Sequence, residues 1–322
     1  MSIVSEERVP DSEKPGVRTK SRSRRTRAWL QDYDLYLLLA PGLVALLLFK
    51  YAPMFGAIIA FKDYNIAAGI WGSPWAGFKY FETLFQDDKF YSVLRNTVLI
   101  NLYKLIFQFP LPILLAIMIN EVRHVAFKRV TQTITYLPHF LSWVIISAIF
   151  INLLSPQTGV LKDLFHLFGM QDIMMIADER FFRSVLVSSA AWKETGWSSI
   201  IYLSAILSID TQQYEAAKMD GAGRLRQIWH VTLPGIRSVI VFIIMLRIGS
   251  ALGNDVEQVL MFINPLVADV GDVIGTFVYR VGLGNMQYSY TTAVGLFQSV
   301  IGMILIITAN YFSRKFGERS LW

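Results

Sequence analysis

The chain has 322 residues, 54% of them hydrophobic and only 17% charged, with a net charge of +6 and no cysteine. Soluble domains carry about a quarter charged residues, so there is too little polar surface for a fold that lives in water, and the apolar residues fall in runs long enough to cross lipid. The missing cysteine excludes a disulfide framework, a thiolate nucleophile and a Cys-ligated metal; the basic residues sit beside apolar runs, where inside-facing loops collect them, which argues against a nucleic-acid surface.

Residues 1–34 form a polar tail carrying Arg8, Lys14, Arg18, Lys20, Arg22, Arg24, Arg25 and Arg27. The tail has no short apolar core followed by a small-residue cleavage site, so it is not a signal peptide. It reads as a cytoplasmic segment attracted to anionic lipid, and Thr26–Asp34 could lie in the interface as a short helix.

A membrane domain over residues 35–312 follows, with a short tail at 313–322. Its apolar segments are Leu35–Phe61, Thr97–Ile119, Val130–Leu154, Ser184–Ile209, Val239–Phe262 and Thr291–Phe312. At about 1.5 Å per residue each reaches across a hydrocarbon core of about 30 Å. The expected fold class is therefore all-α, a polytopic membrane protein with six transmembrane helices. Pro110, Pro112 and Pro138 should kink the second and third spans, and Arg247, Asn254, Asp255 and Glu257 interrupt the fifth.

Orientation follows from Lys and Arg in the connections. One set holds the basic tail, then Arg123, Lys128 and Arg129, then Lys218, Arg224, Arg226 and Arg237, and finally Arg314, Lys315 and Arg319. The opposite set is poorer, with Lys62, Lys79 and Lys89, then Lys162, Arg180 and Arg183, then Arg280 alone. Both termini should face the cytoplasm. The outer loops, rich in Gly, Pro and aromatics as in Trp71-Gly-Ser-Pro-Trp75, look ordered enough to receive a partner.

The cytoplasmic connection over 210–235 is the most informative stretch. Asp210 can cap a helix with Gln213 three residues on; Glu215, Ala216, Ala217 and Lys218 favour helix; Gly221 and Gly223 supply a turn. A second short helix from Arg224 should stop near Leu233, because the residue before Pro234 avoids helical geometry. The product is a compact helix-turn-helix whose small Ala and Gly surface admits a partner closely. The chain has no Gly-Lys dipeptide and hence no phosphate-cradling loop ending in Gly-Lys-Ser/Thr. ATP would have to bind elsewhere.

Glu215-Ala-Ala217, three residues, Gly221, nine residues and Val231-Thr-Leu-Pro234 together resemble the EAA loop of binding-protein-dependent ABC importer permeases, with Val231 where that pattern prefers Ile. Leu38-Leu-Ala-Pro-Gly42, Pro53-Met-Phe-Gly56, Ala60-Phe-Lys-Asp-Tyr64, Tyr136-Leu-Pro-His139, Asn264-Pro-Leu266, Val294-Gly-Leu-Phe-Gln298 and Ser320-Leu-Trp322 are similar to the oligosaccharide branch of the carbohydrate permeases. That branch takes pectin fragments and alginate oligosaccharides, and the nearest resemblance is to the larger permease subunit of alginate importers. The resemblance implies a type I ABC importer permease fold in a bacterial inner membrane. It implies partnership with a second permease, two ATPase subunits that carry the ATP and Mg, and an extracytoplasmic solute-binding protein; the chain itself would need no cofactor. Glu215, Ala216, Ala217, Asp220, Gly221, Arg224, Leu233 and Pro234 would make the contact with the ATPase.

Ionisable groups inside spans default to functional candidates because they are costly there. On the fifth span Arg247, Ala251 and Asn254 fall at i, i+4 and i+7, hence on one helical face; Lys193, Glu194 and Trp197 lie within one turn of the fourth, and His139 and Trp143 four apart on the third. By the resemblance these positions correspond to sugar-contacting faces, with aromatics for stacking and polar groups for hydroxyls or carboxylates. The plainer readings stand beside this. Lys50 and Lys104 would snorkel or pair structurally, Lys193 and Glu194 could neutralise a neighbour, and His139 could satisfy a carbonyl freed by Pro138. No metal-ligand spacing surrounds His139. Phe107, Phe109, Phe150 and Tyr311 read as packing or lipid-facing. A secondary transporter would also place charges at midplane but has no need of the EAA loop, and no Ser/His/Asp set, metal cluster or paired carboxylates suggest an enzyme.

Overall fold

In the computed structural model the described residues are 33–167, 169, 173–253 and 255–315, and they contain helices and loops with no β-strand. The basic tail through Asp32, the C-terminal segment from Phe316 and the site candidate Asn254 lie outside them. The chain divides into two units, one ending at Gly56 and one starting at Ala57. Helix α1 (Asp34–Phe61) supplies the described part of the first. Apart from Asp34 and Lys50 it is largely apolar, the composition of a membrane-crossing helix.

The second unit is built from α2 (Asp88–Glu121), α3 (Val125–Phe140), α4 (Trp143–Leu153), α5 (Glu179–Leu207), α6 (Thr211–Met219), α7 (Arg224–Gly235), α8 (Arg237–Ser250), α9 (Val256–Phe262) and α10 (Tyr288–Lys315), joined by loops with shorter helical turns. Among the described residues three helices, α1, α2 and α10, are long and apolar enough to cross a membrane, or up to five spans if α3 with α4 and α7 with α8 each count as one bent span. Helix α5, the expected fourth span, is long enough but diluted by serines, Lys193 and Glu194. Its polar Ser189, Lys193 and Ser199 are buried against neighbouring helices. Gly196 marks how close that packing is: a Cβ there would sit 1.9 Å from the Thr135 carbonyl oxygen of α3.

Proline shapes three of the helices in one way. Proline has no N–H, and its ring collides with the carbonyl four residues back. One turn of π-helix ends two residues before Pro53, Pro110 and Pro234 (Leu47–Tyr51, Lys104–Gln108 and Ile228–Thr232). The residue preceding each proline donates to the carbonyl five back, as Phe109 does to Lys104 at 3.0 Å. The wider turn carries the offending carbonyl away from the ring, so the helix survives its proline. For this reason the second hairpin helix does not stop at Leu233 as expected but runs to Gly235, then bends by 58° at Ile236.

Two expected spans are broken, the third where a kink was expected and the fifth where polar residues interrupt it. The third divides into α3 and α4 with a bend of 104°. After Pro138, Leu141 is extended, and Ser142 starts a new helix by accepting the Ile145 N–H on its side chain. The fifth ends at Ser250 and resumes at Val256, with Asp255 in the left-handed region at φ 79°. Of the three residues expected on one face of this span, Arg247 and Ala251 stay on one helical stretch, since Ala251 still has helical geometry at the end of α8. The loop over 62–90 is folded: buried Lys62 donates to the carbonyls of Ile70 at 2.7 Å and Ser73 at 3.2 Å, and Ser289 accepts from Tyr64 N–H and donates to the Lys62 carbonyl.

Candidate functional site

The hairpin of α6 and α7 forms from local signals. The Asp210 side chain caps α6 by accepting the Gln212 N–H at 2.9 Å, one position earlier than the expected partner Gln213. At the other end Gly221 adopts φ 74°, and the N–H groups of Gly221 and Ala222 return to the carbonyls of Lys218 and Ala217 at 3.0 and 2.8 Å. These crossed bonds satisfy the last carbonyls of the helix, and the left-handed residue between them carries no Cβ penalty only if it is glycine. Tyr214 and Thr232 share a hydrogen bond of 3.0 Å that ties the two helices together. Glu215, Ala216, Asp220, Arg224 and Pro234 are exposed, while Ala217 and Leu233 are half-buried. Arg224 lies 3.9 Å from Glu121 at the end of α2, an exposed pair worth little alone. Met219, Leu225 and Trp229 add a strongly exposed apolar surface that motif reading had not singled out.

The candidates on the third and fourth spans gather at the α3/α4 break. Lys193 donates to the carbonyls of His139 at 2.8 Å and Leu141 at 2.5 Å, the groups the break leaves without helical partners. Its ammonium also stands 5.4 Å from the Trp143 ring centre, within range of a cation–π attraction. His139 pairs through Nδ1 with Glu194 at 3.1 Å and stacks face to face on Trp197 at 4.6 Å. The carbonyls freed near Pro138 are thus served by Lys193, not by His139.

Beside this cluster lies a cavity of about 1070 Å³ between α2, α4, α5, the broken fifth span and α10. Trp143, Glu194, Arg247 and Ala251 line it; His139, Lys193 and Trp197 do not. Lys104, Gln108, Asp255, Glu257 and Gln258, which the sequence did not place on the path, line it as well. Lys104 is buried and bonds Asp255 at 2.8 Å and Gln258 at 2.6 Å; Gln258 in turn donates to Ser189 and to the Leu186 carbonyl of α5. Arg247 has no carboxylate within ion-pair distance among the described residues, and its guanidinium lies 5.9 Å from the Phe109 ring centre. A cavity of this size, mostly apolar with a few converging polar groups, is a binding-site geometry. No group of His, Asp and Glu able to hold a metal occurs among the described residues.

A mostly apolar cavity with a few polar groups between broken apolar helices, together with a capped helical hairpin, is the architecture of an integral membrane transport subunit. Residues 108–318 match the binding-protein-dependent transport system inner membrane component family, and the chain belongs to it. It is an ABC importer permease, a transport component rather than an enzyme. The protein LplB of Bacillus subtilis is 45% identical over 98% of this chain and 100% of its own length. The polygalacturonan/rhamnogalacturonan transport system permease protein YteP of the same organism is 43% identical over 99% of each chain. A chain of a bacterial alginate ABC transporter, solved in complex with alginate pentasaccharide-bound periplasmic protein, superposes with a TM-score of 0.84 at 37% identity, covering 92% of this chain and 99% of that one.

Proposed function

We propose that the chain is a permease subunit of a carbohydrate importer whose cargo is an acidic oligosaccharide, with uronate chains of the alginate type favoured over pectin fragments. It works with a second permease, two ATPase subunits and an extracytoplasmic solute-binding protein. The 210–235 hairpin lies on the cytoplasmic side with both termini and meets the ATPase through Glu215, Ala216, Ala217, Asp220, Gly221, Arg224, Leu233 and Pro234. Trp143, Glu194, Arg247 and Ala251 contact the cargo, and His139, Lys193 and Trp197 stand behind them.

The observation that carries the cargo reading is Arg247, a cation on the cavity wall with no carboxylate of its own among the described residues. A desolvated guanidinium pairs with carboxylate at two points, and such charge-assisted bonds contribute about 1.5–3 kcal/mol each. The alginate and polygalacturonan named for its relatives agree in chemistry. A neutral oligosaccharide is the second reading, favoured by the wall's Glu194, Asp255 and Glu257 against Lys104 and Arg247.

The test is substrate-stimulated ATP hydrolysis and uptake by the assembled, reconstituted transporter, comparing uronate with neutral oligomers of equal length. Wild type should prefer uronate, and Arg247→Gln should weaken that preference roughly tenfold or more. Equal responses to both oligomers would return Arg247 to a packing role. In the same assay Gly221→Leu, forced into a left-handed turn, should insert normally but lose stimulation; full coupling in that variant contradicts the docking role of the hairpin.

A further inference from the structure

We propose that Lys104, through Asp255, limits the negative charge that the cavity presents to its cargo, and so acts as a specificity-determining positioning residue of the transport path. This inference rests on the acidic-cargo reading above.

Five charged side chains line the cavity among the described residues: Lys104, Glu194, Arg247, Asp255 and Glu257. Glu194 is engaged by His139 at 3.1 Å, and Asp255 by Lys104 at 2.8 Å. Against the two cations stand three carboxylates, so with Lys104 in place the wall carries an excess of one carboxylate and without it an excess of two. Lys104 is buried, which weakens solvent screening of the pair. Removing its ammonium would expose Asp255 as a further uncompensated carboxylate on the wall that holds Arg247. That carboxylate would repel a uronate and compete with it for the guanidinium.

Geometry gives Lys104 a second hold on the same wall. Asp255 occupies the left-handed turn that interrupts the fifth span, and Lys104 reaches it from α2 while also bonding Gln258 on α9. The turn that follows Arg247 and precedes Glu257 is thereby fixed to two other helices, because Gln258 continues to Ser189 and Leu186 of α5. Lys104 touches the cargo only through what it holds.

The experiment measures half-saturating concentrations of uronate and neutral oligomers of equal length in the assembled transporter with its loaded binding protein. Lys104→Met should raise the uronate value about tenfold and leave the neutral value within about twofold. Asp255→Asn, which keeps the shape and adds net positive charge, should lower the uronate value. The double variant Lys104→Met/Asp255→Asn should return close to wild type, and it keeps the test open if Lys104→Met alone does not assemble. Shifts of the same direction in both single variants, or equal shifts for neutral and acidic oligomers, overturn the charge role while the cargo reading stands. A wild type indifferent to cargo charge overturns the cargo reading and this inference together.

Discussion

The break between α3 and α4 and the break between α8 and α9 are each closed by a lysine from another helix, but the two lysines find different counterparts. Lys193 of α5 gives its protons to two backbone carbonyls, at His139 and Leu141, with the Trp143 ring beside it. Lys104 of α2 meets a carboxylate and an amide, on Asp255 and Gln258. The first break frees carbonyls because Pro138 and the extended Leu141 interrupt the helix, and in a low-dielectric interior each unpaired carbonyl is costly. At the second the Gln298 side chain donates to the Leu252 carbonyl. There the buried charge itself needs a partner. A lysine inside a membrane helix can therefore serve backbone or balance charge, and which it does depends on what the opposing helix leaves unsatisfied.

The comparison breaks most severely at Lys193. In Lys193→Met two carbonyls lose their donor at about 1–3 kcal/mol each, so the detergent-purified transporter should melt at a clearly lower temperature or fail to assemble. Unchanged melting would mean that water or another group serves the carbonyls as well. At the fifth span, Gln298→Leu removes one neutral donor and should cost about 1 kcal/mol, visible as a modest fall in melting temperature with the cargo preference intact. A loss as large as that of Lys193→Met would reverse the ranking of the two breaks.

The smallest effect comes from a lysine–carboxylate pair outside both breaks. Asp63 accepts from Lys79 at 2.8 Å and from the Tyr80 hydroxyl at 2.6 Å, and these bonds hold its carboxyl below the ordinary value of 3.8. A depressed carboxyl contributes stability above its ordinary pKa and loses it as pH falls through the lowered value. The advantage of wild type over Asp63→Asn should thus be present at neutral pH and fade below 3.8. Because the pair is exposed, that advantage is small and shrinks in salt. An advantage growing toward acid pH would assign the pair another role.

Features that depend on neighbours along the chain were legible before folding. Apolar runs marked α1, α2 and α10, the three unbroken helices among the described residues that are long and apolar enough to cross a membrane, and the hairpin was legible almost to the residue because Asp210, Gly221 and Pro234 act through local backbone geometry. Even so, the helix ran past the residue before Pro234, since a π-turn absorbs the proline clash and no propensity announces it. Pro138 signalled the third break as a kink; the 104° bend needed Lys193 to hold its freed carbonyls from a different helix. The cavity was decided by tertiary structure. Lys104 and Gln258 are 154 residues apart, and Gln258 gave no more signal than any polar residue in an apolar run. Periodicity placed Arg247 and Ala251 on one face, and both line the cavity, but only the break after Ser250 and the left-handed turn at Asp255 put Glu257 on the cavity wall as well. Local patterns fix which residues are helical. Which buried charges meet is fixed by how helices cross, because pairing in a low dielectric is the alternative to an unpaired charge and only the packed fold brings the partners within reach.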